Sequence, residues 1–447
     1  MRESFLEEYK SKLRTAEEAV SVVKSGDWVD YTSSLGMPVL LDRALAKRRD
    51  ELIDVKVRGN LIAGPIAVAE CDVTQEHFVY HSWHCSSYER KLCDRGLCYY
   101  IPMVFHNNAA YYEFFIKVNV VMVSVAPMDK HGYFNFSVNT GVAGPICEKA
   151  DIVIVEVNEN MPKIHGGYSE CIHISEVDYI VEGEHAPFRN FLPIEPRDVD
   201  RQIASHIIPY IKDGANLQLG IGSIPNAVGE MIAESDIRDL GMHTELCTDA
   251  YLKLHESGKL TNKLKNIDRG KGVFGCAVGS IDLYEWLDDN HGIAAYPLEY
   301  VNRPSIIAQL DNMVSINACV AVDLYGQVAA ESSGSRQISG TGGQLDFLAG
   351  ASASRGGKAF ICMTSRYKSK TDGEYHSRIL PQFNGDIITS PRSQVYFIAT
   401  EYGVVNLEGK STWERAEDLI SIAHPEFRDM LIKEAEERKI WRRSNRR

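Results

Sequence analysis

The stretch LGIGSIP at 219–225 ends an apolar run on Gly220, sets a second glycine at Gly222 and brings Pro225 in behind it. Glycines between a strand and a helix let the chain turn tightly. The helix start that follows offers backbone N–H groups and the positive end of its dipole to an anion. A phosphate-bearing ligand is the chemistry this implies. Glu245 stands in the next apolar stretch, roughly twenty residues on, where a dinucleotide-binding fold sets the acid for its ribose hydroxyls. Pro225, however, occupies the place of that fingerprint's third glycine, and a proline does not allow the same close helix–strand packing. A second glycine-rich segment, ISGTGGQLDF at 338–347, holds Gly340, Gly342 and Gly343. It reads either as a tight turn into a helix or as a nest of backbone donors for an oxyanion. A one-loop dinucleotide site has no use for this second loop. A reaction that develops negative charge on oxygen does. Both readings stay open on these residues.

The elements that must position these groups are legible. NLQLGI (216–221) alternates as a strand, Val228, Met231 and Ile232 follow helical spacing, and MHTELC (242–247) reads as a second strand. This is a β-α-β unit whose two strands are expected to be right-handed neighbours, about 4.8 Å apart. Ligands of such sheets bind outside the carboxyl ends of the strands, which is where the loop and Glu245 fall. The pattern occurs twice. VVKSGDWVDYTSSLGMPVLLDRALAKR (22–48) matches YIKDGANLQLGIGSIPNAVGEMIAE (210–234), with Lys24 against Lys212 and Pro38 against Pro225. VVMVSVAPMDKHGYFNFSVNTG (120–141) matches NACVAVDLYGQVAAESSG (317–334), each read as two strands about a turn at Gly132 or Gly326. The apolar strands ADIVIVEV (150–157) and KAFICMT (358–364) follow. Two homologous open α/β domains with mainly parallel sheets are therefore expected, at 1–190 and 198–447. Pro187, Pro193 and Pro196 break the joint. Ser411 with Glu414 and Pro425 mark the starts of two closing helices.

The totals exclude other classes. With 447 residues the chain is too long for one ordinary core, and 44% hydrophobic with 24% charged residues is a globular balance. A net charge of −13 argues against nucleic acid, the basic run RKIWRRSNRR (438–447) notwithstanding. The start MRESFLEEYKSKL lacks a signal-peptide core, and VNVVMVSVAPM (118–128) is too short to span a bilayer, so no membrane and a cytoplasmic setting are expected. Ten cysteines show no dense framework and read as reduced thiols. His81, His84, Cys85, Cys93 and Cys98 are zinc-type ligands, but no C-x-x-C pair or H-x-x-x-H helix organises them. Core cysteines and no metal site are the expectation.

Taken together, QLGIGSIPNAV, HTELCTDA, DLYGQVAAES, ISGTGGQLDF, SVAPMDKHGYFNFS and TEYGVVNLEGKSTWERAEDLISIAHPEFRD resemble the family I coenzyme A transferases. Within that family they are most similar to the branch of butyryl-CoA:acetate and 4-hydroxybutyrate CoA-transferases. The resemblance runs nearly the whole chain in motif order. It implies an active site in a crevice between the two domains, with Glu245 as nucleophile. Gly220, Ile221, Gly222, Ser223 and Ile224 would contact CoA, Ser223 standing where several relatives carry glycine or alanine. Gly342 and Gly343 would supply the second loop, the Gly343 amide facing CoA or the thioester oxygen. Asn317 and Ser339 are further CoA contacts by position. It also implies no permanently bound cofactor, CoA being substrate and covalent intermediate, and a homo-oligomer, dimer or tetramer.

The chemistry suits those residues. A free glutamate, with a pKa of about 4.3, is ionised at neutral pH and needs no general base. Attack on an acyl-CoA gives an acyl–glutamyl anhydride. The thiolate then returns to the glutamyl carbonyl, and a glutamyl-CoA thioester carries CoA to the incoming acid. The expected reaction is butyryl-CoA with acetate, leaving 4-hydroxybutyrate or propionate transfer, hydrolysis and, from another class, dinucleotide oxidoreduction as alternatives.

Overall fold

The computed structural model describes residues 3–444, and the chain divides into two compact units. One runs to Leu192 and takes in Gly272–Val301 and Gln337–Gly342. The other holds Pro193–Lys271, Asn302–Arg336 and the chain from Gly343 onward. The expected halves at 1–190 and 198–447 are thus interleaved, because two later segments fold onto the first unit. Strand Gly272–Ala277 packs there on helix Thr140–Lys149, where Gly141 leaves only enough room for the backbone of Gly275.

The first unit is built on a seven-stranded parallel sheet. Its order is Tyr99–Tyr100, Phe78–Ser82, Val55–Gly59, Trp28–Asp30, Val120–Val125, Ile152–Val157, Tyr179–Glu182. Period two divides its side chains between two cores. Met122 and Ile154 join Leu41, Leu45 and Leu92 on one face. Val121, Val123, Val153 and Val155 join Tyr112, Val142 and Ile146 on the other. Every residue of Val120–Val125 is buried, as an apolar run between two helical layers must be.

The second unit repeats the arrangement. Gly241–Cys247, Asn216–Leu219, Met313–Ala318, Lys358–Cys362 and Phe397–Thr400 run parallel, with Gly403–Asn406 antiparallel beside them. In both units the first two strands are neighbours, as expected, and the first strand lies between the second and Val120–Val125 or Met313–Ala318. Helix Ser223–Glu234 buries Val228 and Ile232 and leaves Met231 half-buried. It begins at Ser223, so Pro225 lies inside its first turn rather than opening it.

The paired turns differ. Gly326, at φ +86°, turns a hairpin between Ala321–Asp323 and Val328–Ala329. Gly132, at φ +90°, also turns the chain, but Tyr133–Asn135 pairs with Cys171–His173 instead. Ser411 and Glu414 form the expected capping box, and Pro425 opens the last helix. Within the basic tail Arg442 stacks on Trp413; residues 445–447, like Met1 and Arg2, lie outside the described residues. No helix among the described residues is long and apolar enough to cross a membrane.

Candidate active site

Glu245 sits near the carboxyl end of strand Gly241–Cys247 and is half-buried between the buried Thr244 and Leu246. The parallel register pairs Asn216 with Gly241 and Leu217 with Met242. Carried forward, it sets Glu245 level with Gly220 at the start of the glycine loop. Asn302, fully buried in the break before helix Pro304–Ile307, donates from Nδ2 to Glu245 Oε2 at 2.6 Å. The same nitrogen lies 3.4 Å from Asp346 Oδ2, and Asn302 Oδ1 is buried without a hydrogen-bond partner. Gly343 also donates its backbone N–H to the Glu245 carboxyl. A Cβ on Gly343 would fall 1.9 Å from Glu245 Oε2 and 2.1 Å from Asn302 Nδ2, so only glycine lets the amide approach.

These contacts oppose one another electrostatically. Burial disfavours the charged form and Asp346 repels it, while Asn302 and the Gly343 amide favour it. Burial wins, and the Glu245 carboxyl is raised to about 7. The ordinary carboxylate assumed from sequence is therefore corrected: enclosure makes Glu245 a weaker acid and, once ionised, a stronger nucleophile.

The 220–225 loop is built for close approach. Gly222 has φ +130°, a conformation open to glycine, and precedes helix Ser223–Glu234, where the Asp200 side chain is hydrogen-bonded to Ser223. Ile221 is exposed, Ser223 half-buried and Ile224 buried. Gly220 donates to Ile316 O at 2.9 Å, and a Cβ there would press on Asn317. Asn317 and Gln218 exchange amide hydrogen bonds of 2.9 and 3.1 Å. The Asn317 side chain thus supports the loop from beneath.

The other expected residues belong to the first unit. Ser339 Oγ lies 3.0 Å from His84 Nε2, and its carbonyl accepts from Cys85 N–H. Gly342 accepts from Phe105 N–H. The second glycine loop is therefore divided, Ser339 and Gly342 with one unit and Gly343 with the other. A cavity of about 400 Å³ in the first unit is lined by residues 62–65, Glu156, Asn158 and the 183–189 segment.

Sequence reasoning missed Asn302 and Asp346. Asp346 carried a faint signal, an acid in the first turn after GTGG; Asn302 carried none beyond the Pro304 that follows it. The thiols are core residues as expected, Cys85 and Cys98 buried and Cys93 half-buried, but their grouping was not foreseen. Cys85, Cys93 and Cys98 come together with their sulfurs within 4.8 Å of one another. His81 instead lies against Trp28, and His84 bonds Ser339.

Two α/β units of repeated strand order, one presenting a clamped glutamate beside a glycine loop, define an enzyme of the CoA-transferase class. The chain belongs to the acetyl-CoA hydrolase/transferase family: the N-terminal domain of that family matches residues 1–189 and the C-terminal domain residues 279–435. It is 50% identical to the butyryl-CoA:acetate CoA-transferase of Anaerostipes caccae over 99% of this chain and 100% of that one. Among solved structures, RipA from Yersinia pestis superposes with a TM-score of 0.88 at 36% identity, covering 98% and 99% of the two chains. A 4-hydroxybutyrate CoA-transferase from Porphyromonas gingivalis does so with a TM-score of 0.80 at 31% identity, covering 97% and 100%. The dinucleotide reading gives way to this membership.

Proposed function

We propose that the chain is an acyl-CoA:carboxylate CoA-transferase that converts butyryl-CoA and acetate to butyrate and acetyl-CoA, with Glu245 as the nucleophile. The carrying observation is the clamp on that carboxyl, the Asn302 amide at 2.6 Å and a Gly343 N–H that no side chain could accompany. The choice of butyrate and acetate rests on the likeness to the Anaerostipes caccae enzyme. Ten free cysteines support a reducing, cytoplasmic setting.

Glu245 attacks the thioester carbonyl, and the C–S bond breaks to release CoA thiolate and leave an acyl–glutamyl anhydride. The thiolate adds to the glutamyl carbonyl and expels butyrate. Acetate attacks the resulting glutamyl-CoA, and CoA departs as acetyl-CoA by the reverse of the first two steps. In the middle steps the glutamyl oxygen becomes an oxyanion. Asn302 Nδ2 and the Gly343 N–H already face that oxygen, and one such donor is worth about 3 kcal/mol. The backbone N–H groups of the helix start behind Gly222 suit the anionic part of CoA, with Gly220, Ile221, Ser223 and Ile224 shaping the approach.

Incubation with butyryl-CoA alone, followed by digestion and mass spectrometry, is expected to show a CoA-sized adduct on the peptide carrying Glu245. An adduct on another residue, or none, rejects the nucleophile. Consumption of butyryl-CoA that ignores added acetate would make the chain a hydrolase.

A further inference from the structure

The three thiols brought together in the first unit have no part in the proposed reaction. Cys85 precedes helix Ser87–Asp94, Cys93 stands in its last turn, and Cys98 follows after Gly96, at φ +72°, reverses the chain. Cys85 and Cys98 are buried and Cys93 is half-buried. The Cys85 and Cys93 sulfurs are 3.7 Å apart, and all three lie within 4.8 Å of one another. Metal–thiolate bonds of about 2.3 Å to a tetrahedral ion put its sulfurs about 3.8 Å apart, the spacing that Cys85 and Cys93 already have, with Cys98 within an ångström or so of it.

We propose that Cys85, Cys93 and Cys98 bind one thiophilic d10 cation, Zn²⁺ or Cu⁺, as three thiolates. Each thiol gives its proton to solvent as its sulfur–metal bond forms, so a bound Zn²⁺ releases three protons and leaves the site with one negative charge. Half-buried Cys93 leaves a side on which solvent supplies Zn²⁺ with a fourth ligand. The ion ties the two ends of the 85–98 segment together. That segment grips the chain leading to the glycine loop: Cys85 N–H donates to Ser339 O at 3.2 Å, and Arg90 Nε donates to Ile338 O at 2.7 Å. The role is structural, a staple that holds the support of residues 338–339 in one shape.

The test is elemental analysis of the full chain, purified without chelator under reducing conditions and gel-filtered. About one equivalent of zinc or copper per chain is expected, the metal found distinguishing the two ions. Cys93→Ser and Cys98→Ser should each lose it, and Cys171→Ser should keep it. A second measurement needs no variant: apoprotein titrated with Co²⁺ should develop thiolate-to-cobalt absorption that saturates at one equivalent. Less than about a tenth of an equivalent with no cobalt band overturns the proposal, as do metal retained by both Cys93→Ser and Cys98→Ser or a Cys85–Cys93 disulfide in the reduced preparation.

Discussion

The two units share a strand, loop and helix start, and finish them differently. After Trp28–Asp30 the loop passes through Thr32 and Ser34, at φ +57° and +46°, into helix Val39–Lys47. The first N–H groups of that helix meet an acid of the same unit: Leu40 and Leu41 donate to the Glu156 carboxyl at 3.3 and 2.9 Å. After Asn216–Leu219 the loop turns on Gly222, which has no side chain to cap helix Ser223–Glu234, and the acid at this helix start, Asp200, is hydrogen-bonded to Ser223 and paired with Arg197. The reason is in the strands. Glu156 stands on Ile152–Val157, whereas the strand in the same place of the second unit, Lys358–Cys362, reads KAFIC and carries no acid. One copy of the duplicated motif is thus filled from within and serves the fold. In the other the acid comes from outside the repeated strands, Asp200 of helix Asp198–Ile207, and is itself held by Arg197.

The comparison breaks hardest at the nucleophile. Glu245→Gln should lower transfer by about 10³-fold or more with the fold retained, read by initial rates and circular dichroism. In the unaltered enzyme kcat/KM for butyryl-CoA should fall as pH drops below about 7, following the raised carboxyl. Next comes Gly343→Ala, whose methyl meets the carboxyl; kcat should drop by about 10² or more, with melting temperature changing little.

Ser223→Glu then places a second acid beside Asp200 at this helix start. KM for butyryl-CoA should rise about tenfold, read by initial rates, through repulsion of the anionic substrate. The last test lies in the first unit. Burial raises Glu156 from its ordinary 4.5 to about 7. Its contribution to stability is therefore full below 4.5 and lost as pH climbs through 7. Glu156→Gln lacks that loss, so its melting temperature relative to the unaltered protein should improve from pH 5 to pH 8, by at most about 3 kcal/mol in free energy.

Much of this was readable before any coordinates. The β-α-β spacing put Glu245 beside the 220–225 loop, and the duplicated segments pointed to two units of like build, because both are encoded in local periodicity. What escaped depends on packing between residues far apart in the chain. Asn302 reaches Glu245 through a buried hydrogen bond that leaves no periodic trace. The raised carboxyl follows from enclosure and the nearby Asp346, neither visible at Glu245 itself. Cys85, Cys93 and Cys98 lack a compact ligand motif and meet only because the chain doubles back at Gly96. The pairing of Tyr133–Asn135 with Cys171–His173 likewise overrode a local hairpin pattern.

The orphaned Oδ1 of Asn302 has a use once the midpoint of Glu245 is set beside it. Half a revolution about the last side-chain torsion exchanges the amide's nitrogen for its oxygen at the carboxyl. A charged Glu245 is met by a donor, and a neutral one by an acceptor, with the backbone left where it is.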